Sequence, residues 1–234
     1  MIKLRQILLS APVFAITLAL SAVAAETSDA DYSSVSSLTA ATSAVKAPDA
    51  NGFIPRWLLL EPIPVAGQVT QNAAQATVKT EYFPNQLTVI PKDGDKLTVV
   101  TNMEVVWRAV DTRNYNVNLY HFGYALKKKT SNAIFWGVTI INCPAEMHNV
   151  RLAIGSNAAS FWWVNGEELI SIFGDRQTVI DDGISKRITL KKGPNVLRVA
   201  VVNNGGATDF CARFIDEEGN PVKSLTISLS DTAR

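Results

Sequence analysis

The sequence predicts an all-β protein built as an antiparallel β-sandwich. Short apolar runs rich in Val, Ile, Thr, Phe and Trp recur from Arg56 to Leu229. Gly, Pro, Asn or Asp separates most of them, and no stretch shows a sustained helical period. Many short strands with such punctuation fit two layered sheets around one core.

The candidate strands are Arg56–Leu60, Leu97–Val100, Val105–Val110, Val117–Leu119, Ala133–Ile141, Val150–Ile154, Ser160–Val164, Glu168–Phe173, Ile184–Leu190, Val196–Val202, Phe210–Ile215 and Leu225–Leu229. Asn165-Gly166 tolerates positive φ at both centres of a type I′ turn, so it predicts a tight hairpin. Val196–Val202 is apolar on both parities except at Arg198, which suits a central strand covered on both sides. In Phe210–Phe214, the two Phe and Ala212 share one face, expected to be core. Gly193 and Pro194 are expected to break pairing and reverse the chain before Val196.

The chain has 234 residues, enough for one sizeable core or two small ones. Its formal net charge of +1 removes an electrostatic argument for nucleic acid or an anionic membrane. Lys3 and Arg5, the apolar run Ile7–Val23 and the small residues Ala22-Val23-Ala24 predict a cleaved signal peptide over residues 1–25. Residues 26–51, rich in Ala, Ser, Thr and Asp, are expected to form a flexible leader, with at most a short helix around Ser36–Val45. The domain proper then spans residues 52–234. The expected product is exported, to the periplasm or beyond, with no membrane span after cleavage. Cys143 and Cys211 can oxidise to one disulfide in such a compartment, or stay as two separate thiols; spacing alone does not choose. Two Cys and two distant His do not make a recognisable zinc site, so neither a metal nor a cofactor is expected.

An ordered series of motifs resembles a known kind of module. It opens with Arg56-Trp57-Leu58-Leu59-Leu60-Glu61-Pro62-Ile63-Pro64 and continues through Trp107-Arg108-Ala109-Val110. Arg151–Asn157 then leads into Trp163-Val164-Asn165-Gly166-Glu167. Ile188–Leu197 and Asp209–Phe214 close it. The series is similar to galactose-binding-like jelly-roll modules found beside secreted glycoside hydrolases and carbohydrate esterases, and to protective-antigen-type sugar-binding domains. The resemblance implies a jelly roll and a carbohydrate-binding role. Glu61 and Ile63 depart from the usual Gly and Phe. Related domains with a paired Asp hold calcium and sugar together, but the matching positions here are Asn157 and Ala158. Without those carboxylates a hard cation loses its charge partners, so no calcium site is carried over.

Catalytic patterns are sparse. There is no G-x-S-x-G elbow, no G-x-G-x-x-G and no Walker-type loop. His121 and His148 have no partner marked by sequence. Glu167-Glu168, Asp181-Asp182 and Glu217-Glu218 read as solvated acids, because a glycosidase needs two carboxylates facing each other across a bond. Lys127-Lys128-Lys129 reads as a solvated loop. Aromatic side chains are the better lead, since a sugar offers a C–H face for stacking and hydroxyls for hydrogen bonds. Phe161 and Trp163 share one strand face and Trp162 takes the other. Trp162 and Trp136 are therefore candidate platforms, with Asn157, Asp175, Arg176 and Asn204 as candidate rim residues. The expected function is an exported, non-catalytic module that binds a glycan or a partner protein, accessory to polysaccharide degradation. The alternatives are a carbohydrate esterase of the acetyl xylan esterase kind, or a fragment of one, and a structural self-association domain.

Overall fold

The computed structural model describes residues 30–42, 45–67, 70–174 and 176–229. The segment expected to be a signal peptide lies outside them, as do residues 26–29. In chain order the strands are β1 (Leu38–Ala40), β2 (Arg56–Leu60), β3 (Ile63–Pro64), β4 (Lys96–Thr98), β5 (Glu104–Thr112), β6 (Val117–Asn118), β7 (Ala133–Cys143), β8 (Met147–Asn157), β9 (Ala159–Val164), β10 (Glu167–Ile172), β11 (Gly183–Ile184), β12 (Ile188–Leu190), β13 (Gly193–Asn203), β14 (Asp209–Ile215) and β15 (Thr226–Ser228). Helix α1 (Gln71–Lys79) follows β3, and α2 (Leu119–Ala125) follows β6.

Two antiparallel sheets form a sandwich. The longer has ten strands in the order β1-β5-β2-β7-β13-β9-β10, with β4 beside β5 and β3 and β15 beside β7. The shorter has five, in the order β11-β8-β14-β6, with β12 beside β8. Strand β13 is central. It pairs with β7 from Gly193–Cys143 to Asn203–Ala133, and with β9 from Leu197–Val164 to Val202–Ala159. Alternation along β13 sends Leu197, Val199 and Val201 to the inner core and Ala200 and Val202 to a second apolar cluster outside.

The inner cluster closes between the sheets. Trp57 of β2 and Trp162 of β9 meet Phe210 of β14, with ring centroids 4.9 Å and 5.4 Å from the Phe ring, both edge-on. Each indole N–H is satisfied: Trp57 donates to the Ile54 carbonyl at 3.0 Å and Trp162 to Ser160 Oγ at 2.9 Å. Gly137 of β7 lets these rings lie flush, since a Cβ there would stand 2.9 Å from Val199 Cγ1 and 3.4 Å from the Trp57 ring. Phe210, Ala212 and Phe214 all face this cluster, as alternation predicts. The outer cluster gathers Trp107, Trp136, Trp163, Phe161 and Phe83. Its cover is Ala74 and Val78 of α1, together with Tyr82, Phe83 and Val99 from the segment that follows the helix.

Most expected strands appear within one to three residues of their predicted limits, and Asn165 (φ 52°) and Gly166 (φ 86°) turn the β9–β10 hairpin. Four expectations are corrected. Residues 30–51 are not a loose leader where described: Tyr32–Ser34 is a single 3-10 turn, and Leu38–Ala40 is a strand rather than part of a helix. Leu38 is wholly buried, β1 pairs with β5, and Lys46 bridges to Ile227 through both backbone groups. Gly193 and Pro194 do not break pairing but start β13, opposite Cys143 and Asn142. Ile184–Leu190 is two strands, because Ser185 interrupts the ladder by offering its Oγ to the Leu152 N–H at 2.9 Å. Finally, Lys128 is not merely solvated: it pairs with the buried Glu61 at 2.9 Å, beside Arg108 at 2.6 Å. Helices α1 and α2 were not foreseen. Thr70 Oγ1 caps α1 by accepting from the Ala73 N–H, and Asn118 Oδ1 caps α2 by accepting from the His121 N–H.

Leu38→Ala should lower stability by about 2–5 kcal/mol in urea unfolding, as expected of a core leucine. A loss near zero would restore the loose-leader description. A second outcome concerns Asp111, which grips Arg56 through two hydrogen bonds of 2.7 Å and 2.9 Å and also pairs with Lys46 at 2.9 Å. Burial pushes this carboxyl up, but the hydrogen bonds from Arg56 and Lys46 outweigh it and hold it below the usual carboxylate range. Such a group contributes stability above its unfolded value of about 3.9 and loses it as pH falls through the folded value. Asp111→Asn should cost about 3–5 kcal/mol at neutral pH, because it leaves Arg56 buried without a carboxylate. Its urea midpoint should also fall less steeply on acidification than the parent's; parallel pH profiles would refute this account.

Candidate functional site

The sandwich rim opens into a cleft of about 440 Å³. Three pieces of chain build it. Thr70, Gln71 and Ala74 come from the start of α1. Ala158 and Ala159 come from the junction where the chain passes from β8 to β9, and the Asn157–Ala158 peptide there is cis. Val202, Asn203, Asn204 and Gly205 come from the end of β13, while Phe173 and Gly174 close the side after β10. None of these lining side chains is ionisable.

Local hydrogen bonds fix the walls. Ser156 Oγ donates to the Ala158 carbonyl at 2.8 Å, holding the junction. Asn203 is buried and serves as scaffold: its Nδ2 donates to the Thr130 carbonyl at 2.9 Å, and its Oδ1 accepts from the Gly205 N–H at 3.3 Å. That leaves Asn204 at the exposed surface of the loop, where its carbonyl accepts from the Asn132 N–H at 3.1 Å. Phe173 is half-buried and stands edge-on to Phe161, with centroids 5.4 Å apart. Arg176 pins the chain beyond it, donating to the Phe173 carbonyl at 3.3 Å and pairing with Asp182.

Of the residues expected at a site, Asn204 lines the cleft. Asn157 is the residue before the lining Ala158, and its Cα partner in the ladder is Asp209. Arg176 stands two residues beyond Gly174 and acts through the backbone rather than on the cleft surface. Asp175 lies outside the described residues. Trp136 and Trp162 are corrected: both are fully buried, one in each apolar cluster, because both faces of the long sheet are covered. Neither ring offers a platform to a ligand. Thr70, Gln71 and Phe173 were missed. The Thr cap ahead of an Ala-rich stretch was the available signal for the first two.

The possible disulfide is also corrected. Both cysteines are free and buried, Cys143 at the end of β7 in the long sheet and Cys211 on β14 in the short one. Asn195 Nδ2 lies 3.7 Å from Cys143 Sγ. Gly155 lies against Cys211, and the Val179 carbonyl passes so near that a Cβ on Gly155 would stand 2.0 Å from it. A loop thus seals Cys211 from outside.

The histidines do not assemble a hydrolase. His121 Nδ1 and Ser37 Oγ share a hydrogen bond of 2.7 Å, but Ser37 is only 1% exposed, so its hydroxyl is beyond the reach of an ester. His148 is exposed, beside Thr189 and Glu146. Among the described residues there is no group of three or more His, Cys, Asp or Glu placed to hold a metal ion. No helix among them is long and apolar enough to cross a membrane.

No family model and no curated relative matches the sequence. Solved structures are similar at low identity. A PA14 sugar-binding domain from an RTX adhesin is 13% identical with a TM-score of 0.41, over 72% of this chain and 94% of that one. The PA14 domain of the antifreeze protein MpAFP is 10% identical with a TM-score of 0.43, over 81% and 95%. The epithelial adhesin 9 A domain of Candida glabrata, in complex with Galb1-3GlcNAc, is 9% identical with a TM-score of 0.39, over 84% and 99%. None of these proteins lends its ligand to this chain at such values.

The state of the cysteines is open to direct measurement. Burial, with the nearby Asp181 and Asp209, pushes the Cys211 thiol up to about 12, and burial also raises Cys143. Neither should be a thiolate near pH 8, so a thiol-specific disulfide reagent should react slowly with native protein. Two thiols per chain should appear on unfolding without reductant. Finding none would mean that the pair is bridged.

Proposed function

We propose that this chain is an exported, non-catalytic module that binds a neutral, polyhydroxylated ligand, a glycan, in the rim cleft. The observation that carries this is the cleft's lining, which is concave and amide-rich, with a partly exposed aromatic and no ionisable side chain among the described residues. Asn204 and Gln71 each supply amide donors and acceptors, and Thr70 adds a hydroxyl. Phe173 offers an apolar surface for a sugar's C–H face. Such a lining suits hydroxyls better than phosphates or carboxylates, which call for cations, and better than a purely apolar ligand. The motif series similar to galactose-binding-like modules supports the same reading. The basic start, apolar run and small-residue exit of the N-terminus support export, and an accessory role in polysaccharide breakdown is part of the proposal.

A glycan array and an affinity gel test it, followed by variants at the cleft mouth. A Cβ on Gly205 would meet only Ser131 Cβ, at 3.9 Å, so Gly205→Trp can crowd the opening without a clash at its root. Gly205→Trp and Asn204→Ala should each weaken binding about tenfold or more, with no change in the unfolding midpoint. Absence of any retained glycan, or retention unmoved by both variants, would dismiss the reading.

A further inference from the structure

Helix α2 turns an aromatic face to solvent. The five Trp are all buried. The two most exposed aromatic rings among the described residues are Tyr120, at 46%, and Tyr124, at 60%, both on α2. A spacing of four sets them one above the other on one side of the helix, with Cβ atoms about 5–6 Å apart. The opposite side, Leu119, Phe122 and Ala125, is buried in the inner cluster. The helix itself is held in place. Asn118 caps it, and the Thr208 carbonyl accepts from the Leu119 and Tyr120 N–H groups at 2.9 Å and 3.1 Å. His121 Nδ1 shares its hydrogen bond with the buried Ser37. Both rings therefore stand on a fixed base, and a tyrosine has only about two side-chain torsions to immobilise on binding.

The lysine run after α2 is folded back beside this face. Lys127 takes positive φ (55°) and donates its N–H to the Tyr124 carbonyl at 3.0 Å, while the Lys128 N–H donates to the Gly123 carbonyl at 2.8 Å. Gly123 makes room for the reversal: a Cβ there would stand 2.3 Å from Thr130 Cγ2 and 3.2 Å from the Lys128 carbonyl oxygen. Residues 128–130 thus lie against the stretch of helix that carries the two rings. Tyr120, Tyr124 and Lys127 follow the i, i+4, i+7 spacing of one helical stripe. Lys128 turns inward to Glu61, but Lys127 and Lys129 remain exposed. Asp31 stands near Lys127, yet its carboxylate already accepts from the Ser33 N–H and hydroxyl.

We propose that this face of α2 is a second binding surface, apart from the rim cleft, for an acidic polysaccharide. The tyrosine rings take the C–H faces of sugar units, and Lys127 and Lys129 pair with carboxylates along the polymer. The balance of rings and charge selects this occupant. Duplex nucleic acid carries a charge about every 1.7 Å, a density that a pair of lysines in a chain of net charge +1 does not answer. A polybasic membrane site gathers about 4–8 Lys or Arg. A uronate polymer carries its charges singly, with a ring face at each, and so matches lysines set beside tyrosines. A helix face is convex, which suits a long chain lying across it rather than a small molecule enclosed in a pocket.

Biolayer interferometry of the intact protein tests this, with immobilised sodium polygalacturonate as probe and its methyl ester as the neutral counterpart. Polygalacturonate should be bound about tenfold more tightly than the ester, and added salt should weaken the binding. Tyr120→Ala combined with Tyr124→Ala should weaken it about tenfold or more, with an unchanged unfolding midpoint because both rings are already exposed. Lys127→Asn combined with Lys129→Gln should do the same; Asn tolerates the positive φ of position 127. Gly205→Trp and Asn204→Ala should leave polygalacturonate binding intact, so failure of the rim cleft and failure of this surface are read separately. No binding, equal binding of the ester, binding that survives either pair of substitutions, or tighter binding of single-stranded DNA would overturn the proposal.

Discussion

The long sheet is apolar on both faces, and water has to be kept from each. Strand β13 shows why. Its alternate residues enter two different clusters, and its two neighbours, β7 and β9, do the same with Phe135 against Trp136 and Trp162 against Trp163. A sheet with one solvated face would need only the short sheet as partner. Here a second cover is obligatory, and it comes from α1 and the irregular chain between it and β4. Gln86 holds that chain in shape, accepting from the Tyr82 N–H at 2.9 Å and donating to the Thr80 carbonyl at 2.8 Å. The three-layer arrangement follows from that one requirement.

Paired charges mark the seams of this arrangement. Asp111 collects Arg56 and Lys46, tying β5 to β2 and to the chain after β1. Glu61 collects Arg108 and Lys128, tying the end of β2 to β5 and to the turn after α2. In both cases a buried carboxylate meets two cations from separate segments, so its desolvation is offset by more than one partner. Arg213 makes a smaller version at the surface, bonding Asp181 while its guanidinium sits 4.9 Å from the Phe53 ring centroid. These contacts set the relative position of segments far apart in sequence.

The strands were legible because their signal is local. Period-two alternation and the Asn165-Gly166 turn need no tertiary knowledge, and the opposite orientations of Trp162 and Trp163 follow from alternation alone. Alternation gives only relative faces, however. Whether Trp162 or Trp136 meets solvent depends on chain distant in sequence, and both proved to be core. Strand β1 was hidden because Leu38 is a lone large apolar residue among Ser, Thr and Ala; its burial comes from pairing with β5. Helix α1 was hidden because its buried stripe is Ala74, Thr77 and Val78, too small and too polar to register as an apolar period. The site shared that fate. Asn204 could be named as a loop amide, but Gln71 and Thr70 could not be placed without the helix.

The clefts themselves follow from the mismatch between the two covers. The short sheet is wide enough to seal the inner cluster. The outer cover is a helix of nine residues and one strap, laid over a broad sheet. A helix about 10–12 Å across with its side chains cannot span several strands set 4.7–4.9 Å apart. Gaps must therefore open along its margins. The rim cleft touches α1 through Gln71 and Ala74, a pocket of about 320 Å³ bordered by Phe161 and Trp163 touches it through Gln75 and Lys79, and a more open hollow touches it through Ala73 and Ala76. These three hollows are thus a product of incomplete coverage on one face of one sheet. Their chemistry differs from place to place because the sheet beneath changes from Ala159 and Val202 at the rim to Phe161 and Trp163 farther along β9.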